Sequence, residues 1–256
     1  MKHPIVISLP HCSNQLPHEF KDRLALTDAE ILDSSDLGTK EIFGSLPAAF
    51  VMEAPWSRLL VDLNRGEQDQ GERGVVPKKD YMGRTVFRDG AAPDSACVRS
   101  LVELYHRPFH ARLEETLRRF SLKGLFDCHS LNGIGPAGAP DPGSRRKDVI
   151  LGNNGDPFGK NTETLGGITC PTEKLHALKA IFEKKGFTVS LNVPYSGGFI
   201  TKHYGATFAK RGGVALQIEI NEDLYLVKGH RRLERHRVQE MKEKMEAVFE
   251  EIVTLL

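Results

Sequence analysis

Val214-Ala215-Leu216-Gln217-Ile218-Glu219-Ile220 is a short run that is apolar on both faces, the pattern of a strand at the centre of a sheet. Glu219 is out of place in it. A carboxylate is costly to bury unless it is paired or used. Partial desolvation would raise its pKa toward that of a working general base. A salt-bridged strand glutamate, or one on a solvated face, is the alternative. Asn221 and Asp223 continue the polar edge and favour use.

Outward from this run, further strands are expected at residues 5–9, 49–53, 59–63, 125–126, 149–151 and 187–193. Helical signals lie between them: a start at Thr27-Asp28-Ala29-Glu30, a stretch over 37–46, and apolar spacings of three and four from Val98 to Phe120 that Pro108 should kink or split. Thr172 is expected to cap a helix ending at Gly186, and a last helix is expected over 231–255. Residues 66–95 and 152–169 read as long loops. Residues 131–143 hold four Gly and three Pro and can be neither helix nor interior strand. Strands and helices alternate, so the expected architecture is α/β, a sheet covered by helices on both faces, in one domain spanning residues 1–256.

Bulk properties narrow the function. The 256 residues include 35 basic and 34 acidic ones, a balance that argues against a dedicated nucleic-acid or membrane-surface partner. The basic run 231–237 carries Glu234 and reads as a solvated helix face. Cys12, Cys97, Cys128 and Cys170 are too sparse for a disulfide framework and fit reduced thiols in a cytoplasmic protein. The apolar run 5–9 is too short for a signal peptide, and no stretch approaches the roughly 20 apolar residues of a membrane span.

The chemistry clusters at strand ends. His11 follows the strand at 5–9 and Pro10. His129 follows the strand at 125–126, with Asp127 two residues earlier on the same face. Strand ends are where ligands bind in α/β folds, and Asp127 could orient a ligating imidazole. Two such histidines point to a metal, and a catalytic zinc site commonly has three protein ligands. The third here should be Asp or Glu. Asp36 suits either a ligand or a helix N-cap. Arg65 beside Asn64 presents a fork that suits a substrate carboxylate, or pairs with Glu67. The Gly-bracketed segment 197–205 is either a substrate-facing loop, in which His203 or Lys202 polarises a scissile carbonyl, or a tight hairpin. His110, among apolar neighbours on a helix, reads as a core histidine. Cys12 and Cys128 read as packing residues.

In order, Pro10-His11, Asp36, Val61-Asp62-Leu63-Asn64-Arg65, Tyr105-His106-Arg107-Pro108-Phe109-His110, Asp127-Cys128-His129-Ser130, residues 198–205 and Gln217-Ile218-Glu219 resemble the N-formylglutamate amidohydrolase family, whose activity belongs to histidine degradation. The resemblance spans almost the whole chain. It implies a three-layer fold of the zinc-exopeptidase (phosphorylase/hydrolase-like) kind, with a mixed, mostly parallel sheet. It implies zinc, or another divalent metal, on His11, Asp36 and His129, with Glu219 and His203 catalytic. It places Asn64, Arg65, Ser130 and Thr201 against a small N-acyl amino acid such as N-formylglutamate. Zinc carboxypeptidases carry a glutamate three residues after the first histidine. Here that position is Asn14, so the carboxylate must come from elsewhere. Relatives usually have a glycine within two residues of the first histidine, where this chain has Cys12-Ser13.

Other readings stay open: an inactive ligand- or metal-binding protein on the same fold, a peptidase or deacylase of different N-acyl specificity, and a cysteine amidase using Cys128 with His129. Against the last, adjacent strand residues face opposite ways.

Overall fold

The computed structural model of the chain describes residues 2–162 and 166–256. Six strands, β1 (His3–Leu9), β2 (Ala48–Glu53), β3 (Gly124–Leu131), β4 (Val149–Gly152), β5 (Val189–Leu191) and β6 (Val214–Asn221), form one sheet in the order β2-β1-β3-β6-β4-β5. Only the β4–β6 pair is antiparallel, so the sheet is mixed and mostly parallel. As its two apolar faces require, β6 is interior, between β3 and β4.

Helices cover both faces. Ile5, Ile7, Leu9, Phe126, Leu216 and Ile218 pack under α3 (Thr39–Phe43), α6 (Thr172–Lys184) and α8 (Arg235–Leu255). Val6, Leu125 and Ala215 face the opposite way, under α5 (Arg107–Arg119) and α7 (Phe199–Ala209). The two-residue alternation along a strand then settles where the polar groups go. Asp127 and His129 share a side with Leu125, and Gln217 and Glu219 share it with Ala215. His129 and Glu219 are direct register partners on β3 and β6. Among the described residues, no helix is long and apolar enough to cross a membrane.

Several expectations are corrected. Residues 59–63 form turns rather than a strand. The Asp62 side chain accepts from the Asn64 backbone N–H at 2.9 Å, and the Arg65 N–H bonds the Asp62 carbonyl, local bonds that displace a strand ladder. Residues 199–209 form a helix, not a loop or hairpin, because Ile200, Thr201, Tyr204, Gly205 and Phe208 bury one helical face. Pro171, not Thr172, caps α6, and Thr172 instead donates to the Gly159 carbonyl at 2.8 Å. The helix expected from 231 starts at Arg235, and Arg231 is not on a solvated face: it pairs with Glu222 and Asp33. As Pro108 predicted, the long helix is broken, into α4 (Ser95–Leu101), a π-helical turn (Val102–His106) and α5.

His110 on α5 is the buried core histidine expected of it. Its Nε2 bonds the Leu63 carbonyl and its Nδ1 the Tyr204 hydroxyl, both at 2.9 Å. Burial, with His106 and His203 nearby, pushes its pKa down to about 3. The unfolded chain therefore binds this proton first, and stability falls as pH drops from about 6.5 toward 3. Urea unfolding at pH 7 and pH 4.5 should show wild type losing on the order of 2 kcal/mol more than His110→Gln across that interval. Equal losses would show that His110 stays unprotonated in both states or charges in both.

Candidate metal centre and active site

β1 delivers His11 just past its end, and β3 carries His129 near its own. The third group comes from a turn. Asp36 follows two short helices, α1 (His18–Lys21) and α2 (Asp28–Asp33), and its backbone N–H donates to the His11 carbonyl at 2.9 Å, which sets the carboxylate beside both imidazoles. The side chain does not cap α3, whose N-cap is Gly38 without a side-chain bond. One Asp36 oxygen instead lies 2.9 Å from His129 Nδ1 and 3.6 Å from His11 Nδ1, and accepts from the Ser130 N–H at 3.3 Å. His11, Asp36 and His129 each offer one ligand atom, all within 4.8 Å of one another, and all three residues are buried.

The outer atoms of both imidazoles are occupied. His11 Nε2 meets Asp62 Oδ1 at 2.7 Å, and His129 Nε2 meets Asp127 Oδ2 at 3.0 Å. A carboxylate on Nε2 holds its proton there and leaves Nδ1 as the lone-pair donor, the usual outer support of a metal-bound histidine. The donor set therefore fits a divalent cation of the zinc type. The charges agree. Burial alone would lower the pKa of His129, but Asp127, Asp36 and Glu219 outweigh it and push it well up. Burial would raise Asp36, but its bonds to His11 and His129 hold it below the usual carboxylate range. The cluster is built to attract positive charge.

Glu219 stands across from His129, 7% exposed, and Gln217 donates to its Oε1 at 2.8 Å. Burial, with Asp36 and Asp127 adding to it, pushes its pKa up to about 8 despite His129 and Arg58. Gln217 Oε1 accepts from the Gly198 N–H at the start of α7. Any side chain on Gly198 would collide with the Asn64 amide, so glycine is required there by contact.

The remaining expected residues divide. Arg65, Ser130, Asn64 and Glu219 line a cavity of about 620 Å³ together with the three clustered groups. The Asn64 side chain, however, is committed: its Nδ2 lies 3.2 Å from Asp127 Oδ2 and 3.1 Å from His129 Nε2, and its Oδ1 accepts from the Ile200 N–H at 2.8 Å. It braces the centre instead of presenting a free amide. Arg65 does not pair with Glu67, which bonds Arg107. It donates to the Arg73 and Asn64 carbonyls. Thr201 is fully buried and lies against Gly197, off the cavity wall. His203 is exposed and stacked on Phe199, also off the wall, because one helical step turns it about 100° from Lys202, which does line the cavity. Burial drives the Cys128 thiol well up, and it faces away from His129, so it packs as expected.

Three groups at the site had no role at the metal cluster assigned from the sequence, although Asp62 and Gln217 lie in motifs quoted from it. Asp62 looked like part of a strand, and nothing local marked it as the His11 partner. Gln217 had one available signal, its two-residue offset from Glu219. Arg58, in a turn, donates to Asp62 at 2.8 Å and lines the cavity. Burial opposes its charge, but Asp62, Asp36 and Glu219 keep it strongly protonated.

A statistical model of the N-formylglutamate amidohydrolase family matches residues 3–226. The chain belongs to that family. Among its relatives are N-formylglutamate deformylases of Pseudomonas putida, 28% identical over 87% of this chain and 82% of the relative, and of Pseudomonas aeruginosa, 28% identical over the same shares. The fold is shared with the crystal structure of an N-formylglutamate amidohydrolase from Ralstonia eutropha, at TM-score 0.77 and 20% identity, covering 99% of this chain and 94% of that one. A gene product of Agrobacterium tumefaciens superimposes at TM-score 0.65 with 18% identity, over 98% and 92% of the two chains. Family membership bears out the resemblance read from the motifs, and the mixed sheet between helix layers bears out the expected fold.

Proposed function

We propose that this protein is a metal-dependent amidohydrolase that cleaves the formyl C–N bond of an N-formyl amino acid, N-formylglutamate in particular, releasing formate and the free amino acid. The observation that carries the reading is the convergence of His11 Nδ1, His129 Nδ1 and an Asp36 oxygen, with Glu219 opposite them in the same cavity. Relatives that carry the deformylase name favour the same substrate.

His11, Asp36 and His129 would hold the ion, zinc by the character of these ligands. Bound there, it supplies Lewis acidity that lowers the pKa of a water molecule and polarises the formyl oxygen. Glu219 takes the proton of the attacking water as its oxygen bonds the formyl carbon. It passes that proton to the amine nitrogen as the C–N bond breaks. Its high proton affinity suits both tasks. In this reading Arg58 takes the oxyanion-stabilising role in place of His203, supported by its position on the cavity wall and its pairing with Asp62. Arg65 anchors the α-carboxylate, and Ser130 borders the same space.

The test is formate release from N-formyl-L-glutamate by chelator-treated protein before and after zinc is restored. Activity that returns with the metal is expected, and none with either preparation would sink the reading. Arg58→Met should lower kcat by about 100-fold with little change in KM, the mark of an interaction made mainly in the transition state. A pure KM effect would reassign Arg58 to substrate binding.

A further inference from the structure

The charges on the cavity wall are unevenly matched. Arg58 faces Asp62, Arg146 is engaged by both oxygens of Asp141, and Arg231 is held by Asp33 and Glu222. Arg65, Arg73, Lys79 and Lys202 also line the cavity, and among the described residues none of the four forms an ion pair. Arg65 spends two donors on backbone carbonyls. Burial lowers the Lys202 pKa, and Arg65 lowers it further. Four cations thus face one space without a counter-anion; Arg73 and Lys79 spend donors on the Gly138 carbonyl and the Thr85 hydroxyl, and Arg65 and Lys202 are the two tied to Asn64.

Their spacing is fixed by the backbone. Arg65 directly follows Asn64, and the first turn of α7, which carries Lys202, is fastened to Asn64 through the Ile200 N–H and the Asn64 side-chain oxygen. The same Asn64 amide donates to Asp127, the carboxylate that holds His129 Nε2. The metal centre, Arg65 and Lys202 are therefore registered to one another through a single residue. An N-acyl amino acid held by one carboxylate on Arg65 leaves Lys202 uncompensated. A second carboxylate on the same molecule would match it.

We propose that Lys202 is a specificity-determining residue that selects dicarboxylic substrates by pairing with the side-chain carboxylate while Arg65 holds the α-carboxylate. The proposal rests on the amidohydrolase reading above and assigns the second anionic contact to one residue of this chain. Lys202 acts as a point charge on a flexible stem, so acceptance of both four- and five-carbon diacids is consistent with it. Neutral side chains of similar shape would leave the ammonium desolvated and unpaired, which costs affinity.

The experiment compares kcat/KM for N-formyl-L-glutamate and N-formyl-L-glutamine in the zinc-loaded wild type, Lys202→Met and Lys202→Arg. Wild type should prefer the glutamate derivative. Lys202→Met should cut the preference ratio by about 10- to 100-fold, the range for losing a hydrogen bond to a charged group, and Lys202→Arg should restore much of it. An unchanged ratio in Lys202→Met overturns the proposal. Calorimetric titration with L-glutamate and L-glutamine, the corresponding free amino acids, separates this proposal from its parent reading. If no formyl compound is hydrolysed but glutamate binds in a Lys202-dependent way, the reaction reading fails and the anion contact stands. If glutamate binds wild type and Lys202→Met equally, the contact fails whatever the activity.

Discussion

Replacing Glu219 by Gln should lower kcat by about 1,000-fold while the protein keeps its metal. The substitution preserves the volume and the Oε1 that accepts from Gln217, so the wall of the cavity stays in place. What disappears is the group that can take and return a proton, an effect of roughly 10² to 10⁴ in rate for general acid–base catalysis. The buried position works in the same direction: a neutral amide is less costly there than the carboxylate, so folding should be unharmed or improved. Steady-state kinetics with elemental analysis of the same preparation checks this. Near-normal turnover would remove Glu219 as the base. Loss of metal together with activity would show that the carboxylate belongs to the ligand set.

The second large effect is expected from Asp36→Ala. This carboxylate is the one anionic donor of the cluster and the link between the two histidines. Without it, His11 and His129 keep their supports on Asp62 and Asp127 but share no third ligand. Zinc affinity should fall by more than the roughly 10- to 100-fold seen when an outer-shell partner of a metal ligand is lost, and hydrolysis should fall with it. Competition against a chromophoric chelator measures the affinity, and circular dichroism verifies that the sheet persists. Wild-type metal affinity in Asp36→Ala would return Asp36 to a structural role in its turn.

Much of the site was legible because strands carry a strict two-residue rhythm. Asp127 with His129, and Gln217 with Glu219, fall on one side of the sheet by parity alone, and Cys128 falls on the other. The amphipathic spacing around His110 announced a core residue. Helix starts were legible where the chemistry is local, as in the capping box of Thr27 and Glu30. The segment 59–63 was misread because its apolar composition resembles a strand, while Asp62 bonds its own neighbours and turns the chain. The segment 199–209 was misread because glycines at its start suggested a loop, while its apolar face packs with α5 onto Val6, Leu125 and Ala215 of the sheet.

Composition, parity and strand-end histidines determined, without coordinates, an α/β chain and the side of the sheet on which a candidate metal site lies. The motifs in series determined the family. Tertiary structure alone decided the partnerships: Asp62 with His11 across 51 residues, Asp36 with His129 across 93, and Asn64 with the start of α7 across 136. It also exchanged His203 for Lys202 on the cavity wall and brought in Arg58. The reason is physical. Periodicity is a local property that a sequence displays directly, whereas hydrogen bonds between buried charges depend on where distant turns come to rest, and no local pattern encodes that distance.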